Sequence, residues 1–167
     1  LLKKNGVEVI QGKARITSAT TVTVENRSLE ANHIILATGS YHEPLKAKLP
    51  SEKVVELNRF FALDELPKSI VVVGESSIAV ELAQFFALID RNVTLAVPGE
   101  RIMPLADEYL ANYMTGKLKK DKINLIFNVG DASDESRFEG DELVIGSHRV
   151  KCDLVINSKS RKGVVPE

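Results

Sequence analysis

The sequence predicts an α/β chain in which antiparallel strands come first and a parallel sheet with helices follows. The first part of the chain contains short β-branched runs separated by turn residues, as in a β-meander. Residues 69–89 then follow the pattern of a buried strand, a glycine turn and a helix in direct succession. Further apolar strands and one more helix pattern come after it, which indicates that the parallel sheet continues.

Composition limits the classes of function to consider. The 167 residues suffice for one domain with its own core and part of a second. The 22 basic and 23 acidic residues nearly cancel, so nucleic acid and membrane surfaces are not expected partners. The single cysteine, Cys152, excludes an intrachain disulfide, and no metal site is predicted.

Without a signal-peptide pattern or a membrane-length apolar run, a cytoplasmic location is expected. The opening LLKKNG, without an initiator methionine, suggests part of a longer protein.

The first segment, residues 1–44, is predicted to end in a buried strand. The stretches VEVIQGKARITS and TVTVEN are typical of half-buried antiparallel strands. HIILA is a continuous apolar run, which favours a strand covered on both faces. It leads into a small, polar turn of Ala37, Thr38, Gly39 and Ser40, where glycine lets the backbone approach a ligand closely. Residues 45–68 contain prolines and little periodicity, which indicates a connector.

The turn after the apolar strand at 70–73 is the candidate ligand site. Backbone N–H groups at a helix N-terminus point at an incoming anion, so a glycine turn that opens a helix suits a phosphate group. In the pattern G-x-G-x-x-G/A, Gly74 and Ala79 match, but the middle glycine is Ser76. The charge of Glu75 would repel a phosphate, and Ser76 and Ser77 can cap the free N–H groups themselves.

The remaining segments complete the predicted parallel sheet. RNVTLAV is its second strand and ends at Val97, where NAD-binding proteins carry a carboxylate for the ribose hydroxyls. Residues 107–120 are predicted as a helix, with acids at its start and lysines at its end. INLIF is a third strand, residues 128–149 suggest a turn-rich meander with a hairpin, and DLVIN is the last strand.

Taken in order, these motifs resemble the pyridine nucleotide–disulfide oxidoreductases, in the glutathione reductase and dihydrolipoamide dehydrogenase branch. The ordered set is ATGS, a crossover, G-x-S-x-x-A-x-E, VTL and DLVI. The resemblance implies that residues 1–44 are the distal part of a FAD-binding domain and 45–68 an interdomain connector. It implies a Rossmann-like NAD(P)-binding domain with a parallel sheet and β-meander over 69–160, and a return towards the FAD domain over 161–167.

The resemblance also implies roles for single positions. Glu81 matches a glutamate that lies near the nicotinamide and pairs with a lysine beside the flavin, so it is the implied catalytic residue. Arg101, in GERIMP, matches the family's G-D-R-I-L-P and is a candidate phosphate contact, which slightly favours NADPH over NADH. The positions implied for NAD(P) are Gly74, Glu75, Ser76, Ser77, Ala79, Val97, Arg101 and Ser160. Those implied for FAD are Ala37, Thr38, Gly39 and Ser40.

The implied function is the central nicotinamide-nucleotide-binding domain of a flavin-dependent NAD(P)H oxidoreductase. In such a protein, which the resemblance implies to be a homodimer, NAD(P)H passes a hydride to FAD and on to a disulfide or small-molecule acceptor. One cysteine cannot form the redox dithiol, so this chain alone is expected to be inactive. The replaced ligand-facing residues leave weak or lost NAD(P)H binding open. Two alternatives remain: a degenerate Rossmann domain with a structural or interaction role, and a domain of a flavin NAD(P)H oxidase without the redox disulfide.

Overall fold

The computed structural model describes residues 1–57, 59–159 and 161–165. The chain divides into two compact units. The first unit is Leu1–Tyr41 with Gly163–Glu167, and the second is His42–Lys162. The assignment of flavin and nucleotide domains to parts of the chain stays a prediction.

The first unit contains a small antiparallel sheet. Its strands are β1 (Ala14–Ile16), β2 (Thr21–Val24) and β3 (Arg27–Glu30), in the order β1-β2-β3. A 3-10 helix at Lys3–Asn5 precedes them. Strand β4 (Ser40–His42) follows and leads into the second unit. The antiparallel strands predicted for this part of the chain are therefore present, although β1 is shorter than the alternating pattern suggested.

The apolar run HIILA does not form the predicted buried strand. Residues 33–37 lie outside any strand, and Ile35 and Leu36 are 89% and 54% exposed. A strand that is apolar on both faces is stable when neighbouring strands satisfy its backbone groups and other layers cover its side chains. No strand of the described residues pairs with this run. The prediction was wrong about the environment of these residues because the pattern reports only their apolar character.

A five-stranded parallel sheet forms the centre of the second unit. Its order is β5-β12-β6-β7-β8. The strands are β5 (Val54–Glu56), β6 (Ser69–Val73), β7 (Asn92–Ala96), β8 (Asn124–Ile126) and β12 (Leu154–Asn157). The chain runs from β6 through β7 to β8 on one side and then returns to the other side of β6 to form β12. The strand order therefore reverses between β6 and β12, as in doubly wound α/β proteins.

Two helices cover one face of this sheet. They are α1 (Ser77–Leu88) and α2 (Glu108–Lys120). The core on this face contains Ile70 and Val72 of β6 together with Phe86 of α1, all almost fully buried. Alternate residues of a strand point to opposite faces, which explains why these two positions of β6 share one core.

An antiparallel meander covers the other face. Its strands are β9 (Arg137–Glu139), β10 (Glu142–Ile145) and β11 (His148–Lys151), in the order β11-β10-β9. Val71 and Val73 of β6 pack in one core with Leu143 of β10. The last strand, β13 (Arg161–Gly163), pairs with β4. The three layers and the meander confirm the predicted fold class.

Candidate functional site

A cavity of about 560 Å³ lies at the carboxyl edge of the parallel sheet. Three segments line it: the turn after β6, the loop after β7 and the end of β12. Their lining residues are Gly74, Glu75, Ser76 and Ser77, then Pro98 and the run 103–106, then Ser158 and Lys159. Since β6 and β12 flank the point where the strand order reverses, the cavity occupies the place where open α/β sheets bind their ligands.

Gly74 is required by the close approach of three backbone segments. A Cβ added to Gly74 would lie 2.4 Å from the carbonyl oxygen of Ser158 and 3.1 Å from the Cβ of Ala79. The backbone of Ser158 is itself fixed, because its N–H donates to the carbonyl of Val73 at 2.8 Å. Ala79 is fully buried, and its small side chain lets α1 come close to the turn. The two residues that match the fingerprint therefore pack β6, α1 and β12 together.

The turn satisfies part of its own hydrogen bonding. The hydroxyl of Ser76 accepts a hydrogen bond from the Ala79 N–H at 3.4 Å, which caps α1 as predicted. The carboxylate of Glu75 instead turns towards the loop after β7, where its Oε2 accepts from the Gly99 N–H at 2.9 Å. The carbonyl of Glu75 accepts from the Met103 N–H at 2.5 Å. The turn and the loop are thus fastened together on one side of the cavity.

Arg101 stabilises this loop from within. Its Nη2 donates to the carbonyl oxygen of Pro104 at 2.6 Å, while Nη1 is buried without a hydrogen-bond partner among the described residues. Arg101 does not line the cavity, although Pro104 does. A phosphate contact by Arg101 stays a prediction, and in this conformation the guanidinium holds the loop.

Lys159 is a cation in the cavity wall that sequence reasoning missed. Its Nζ lies 3.0 Å from Oδ1 of Asp134, which also receives the backbone N–H of Lys46 at 3.3 Å. Burial opposes the charge on Asp134, but the hydrogen bonds from Lys159 and Lys46 outweigh it and hold the pKa of this carboxyl below its usual range. The side chain of Lys159 is only 18% exposed. The available signal was its position just beyond the carboxyl end of β12.

The other predicted nucleotide-binding residues are placed differently. Val97 is fully buried in the core on the helical face and does not line the cavity. Glu81 is exposed on α1, also away from the cavity, and its side chain forms no hydrogen bond or ion pair with the described residues. Ser160 lies outside the described residues. The cavity therefore brings together the turn residues Gly74 to Ser77 but neither Val97 nor Glu81.

The residues predicted to contact FAD belong to the first unit. The hydroxyl of Thr38 donates to the carbonyl of Val164, and the Val164 N–H donates to the carbonyl of Gly39 at 3.0 Å. Gly39 has φ = 85°, a conformation that favours glycine. Ala37 and Ser40 are exposed beside them. The contact with FAD stays a prediction.

Cys152 is expected to be chemically inert in the folded chain. It is fully buried, and burial raises the pKa of its thiol to about 12, so almost no thiolate exists at neutral pH. We expect a thiol-specific reagent such as DTNB to leave the native chain unlabelled at pH 8 and to label one thiol per chain in denaturant. Rapid labelling of the native chain would mean that the Cys152 thiol is accessible to the reagent and is not enclosed in the core.

Two other kinds of feature are absent from the described ranges. They contain no group of three or more histidine, cysteine, aspartate or glutamate side chains that could hold a metal ion. None of their helices has the length and apolar character needed to cross a membrane.

Comparison with known proteins places these features in a family. The family model for pyridine nucleotide-disulphide oxidoreductases matches residues 1–158. Dihydrolipoyl dehydrogenase of Pseudomonas aeruginosa is 34% identical over 130 residues, which cover 75% of this chain and 28% of that protein. The enzyme of the same name from Acholeplasma laidlawii is 35% identical over 133 residues, which cover 75% of this chain and 39% of that protein.

A solved structure shows the same fold. The HOCl-induced flavoprotein disulfide reductase RclA from Escherichia coli matches with a TM-score of 0.69 at 20% identity, covering 95% of this chain and 37% of that chain. The chain thus spans only about a third of the length of the proteins it matches. Because the family model matches nearly all of the sequence, the chain belongs to the pyridine nucleotide-disulphide oxidoreductase family.

Proposed function

We propose that this chain provides the nicotinamide-nucleotide site of a flavin-dependent NAD(P)H oxidoreductase. The observation that carries the proposal is the cavity at the reversal of strand order, between the Gly74 turn and the end of β12. Its volume lies within the range of small-molecule sites. The family relationship supports the same reading, since its members include flavoprotein disulfide reductases and dihydrolipoyl dehydrogenases.

The residues of the cavity fit an anionic nucleotide. Gly74 leaves the backbone at the N-terminus of α1 free of a side chain, and Lys159, one of the lining residues, brings a positive charge to the site. Asp134 holds that ammonium in place from outside the cavity lining. When bound, NAD(P)H supplies the hydride. The chain's own task is to bind and orient it.

The parent protein's remaining parts belong to the same proposal. FAD would contact the Ala37 to Ser40 turn, and Glu81 would lie near the nicotinamide, as in the family pattern. The acceptor would be a disulfide or a small molecule, the parent would be a cytoplasmic homodimer, and this chain alone would not turn over substrate. The choice between a disulfide reductase and an oxidase depends on whether the parent carries a redox cysteine pair.

A second candidate is a domain that keeps the fold for a structural or interaction role without binding a dinucleotide. The observation that favours it is that side chains of the turn form hydrogen bonds within the protein, without a ligand. Ser76 caps α1 with its own hydroxyl, and the Glu75 carboxylate accepts a hydrogen bond from the Gly99 N–H, so both side chains have partners within the protein. This arrangement stabilises the turn in the absence of a ligand.

Calorimetric titration of the purified chain with NADH and NADPH separates the two candidates. We expect saturable heat with at least one nucleotide and a dissociation constant below about 1 mM. A dissociation constant of that size corresponds to a binding free energy of about 4 kcal/mol. A rise in the unfolding temperature with the same nucleotide should accompany it. If millimolar concentrations of both nucleotides give neither heat nor a thermal shift, the structural candidate replaces the proposed function.

Lys159→Gln should weaken nucleotide binding because it removes the cation from the cavity wall. We expect a loss of affinity of about three- to tenfold, or roughly 0.7 to 1.4 kcal/mol. Lys46→Gln is the matched control, since Lys46 pairs with the same Asp134 carboxylate but does not line the cavity. The control should bind within about twofold of the unmodified chain. Equal losses in both variants would show that Lys159 acts only through Asp134.

A further inference from the structure

The turn residue Glu75 places a carboxylate beside the end of the second strand of the nucleotide-binding unit. Its Oε2 accepts from the Gly99 N–H at 2.9 Å. A Cβ on Gly99 would lie 2.9 Å from the same oxygen, so the carboxylate lies directly against this backbone. Gly99 belongs to the loop that leaves β7, and Glu75 also lines the cavity. The acid therefore reaches from the turn after β6 to the β7 side of the site.

This position is where an NAD-binding fold needs an acid. In such folds, a carboxylate that follows the second strand accepts hydrogen bonds from the ribose hydroxyls. Here the residue after β7 is Val97, whose side chain is fully buried in the core and cannot reach a ligand. Glu75 supplies a carboxylate to the same side of the cavity from a different element. Among the described residues its second oxygen, Oε1, has no hydrogen bond and can accept one.

We propose that Glu75 is a specificity-determining residue that makes the site prefer NADH to NADPH, an inference that rests on the proposed function. The ribose 2′-hydroxyl of NADH is a hydrogen-bond donor, and a carboxylate is a strong acceptor for it. The 2′-phosphate of NADPH offers no such donor and brings negative charge towards the carboxylate. One side chain thus favours the first nucleotide and disfavours the second.

The nearby cations do not reverse this preference. Arg101 lies in the same loop, but its guanidinium donates to the Pro104 carbonyl and does not line the cavity. Lys159 lines the cavity beyond β12, on the other side of β6 from β7, and is paired with Asp134. Neither cation pairs with Glu75, so its charge stays available to act on the ligand. The inference is thus opposite to the slight preference for NADPH that the sequence position of Arg101 suggested.

The test is calorimetric titration of the purified chain with NADH and with NADPH, followed by the same titrations of Glu75→Gln. Glutamine has nearly the same shape and can still accept from the Gly99 N–H, so the turn should keep its structure. The matched control is Glu100→Gln, which removes the same charge from an exposed side chain of the same loop that does not line the cavity.

We expect the unmodified chain to bind NADH about tenfold more tightly than NADPH. Glu75→Gln should bring the two affinities within about threefold of each other, and Glu100→Gln should leave their ratio unchanged. Equal or tighter binding of NADPH by the unmodified chain overturns the inference without any variant. An NADH preference that survives Glu75→Gln also overturns it while leaving the proposed function intact. Binding of neither nucleotide is a different result, which removes the proposed function and this inference with it.

Discussion

Gly74→Ala should lower the free energy of unfolding by about 3 kcal/mol, because the new methyl group has no space. It would lie 2.4 Å from the carbonyl oxygen and 2.9 Å from the carbonyl carbon of Ser158, and both are backbone atoms of a buried strand end. Relief requires β6 and β12 to separate at the edge where the cavity lies. We therefore expect nucleotide binding to fall together with stability, as measured by urea denaturation and calorimetric titration.

Gly116→Ala is the matched control for this substitution. Gly116 lies in α2, is exposed, and a Cβ there would meet nothing within 4 Å. Alanine is a better helix former than glycine, so the free energy of unfolding of this variant should rise by about 0.5–1 kcal/mol. If the two alanine variants had the same stability, the close approach of Ser158 to Gly74 would not constrain the turn.

Phe86→Ala should lower the free energy of unfolding by about 4 kcal/mol, because it leaves a cavity under α1. Phe86 is fully buried, and its ring packs edge-on against that of Phe60 with centroids 5.4 Å apart. The Phe86 ring joins α1 to the sheet, so its removal should also loosen the N-terminus of α1, which lines the site. Thermal and urea unfolding of the purified variant measure the effect.

Phe85→Ala serves as the control in the same helix. Phe85 is 43% exposed, so its removal takes away less buried surface and the solvent fills the space. We expect the free energy of unfolding to fall by less than about 1.5 kcal/mol. Equal losses at both positions would contradict the assignment of the buried face of α1.

Much of the second unit was predictable because its elements have long, regular patterns. The strand β6 is a continuous apolar run that is buried on both faces, and α1 begins at a capping serine. The strand β5 was not predicted, since its three residues are too few to show a period and lie in a segment with several prolines. Its place in the sheet depends on pairing with β12, which is distant in sequence.

The site was predictable where a residue has a conformational or packing reason to be present. Gly74 and Ala79 were found because their small size lets three backbone segments meet. Lys159 and the loop residues 103–106 were missed, since a side chain in a cavity wall needs no sequence pattern of its own. Glu75 was identified as a charge beside the helix, but the bond to Gly99 depends on how the loop after β7 folds. Such contacts between loops follow from tertiary structure and not from local sequence.

Amide chemical shifts can show whether a nicotinamide nucleotide binds in the cavity between the Gly74 turn and β12. We would titrate the isotopically labelled chain with NADH and follow each backbone N–H by NMR. We expect saturable shifts at Gly74, Ser77 and Ser158, with little change at Gly116 in α2 and Gly140 in the meander. Shifts confined to other surfaces, or none at millimolar NADH and NADPH, would mean that the nucleotide does not bind in this cavity.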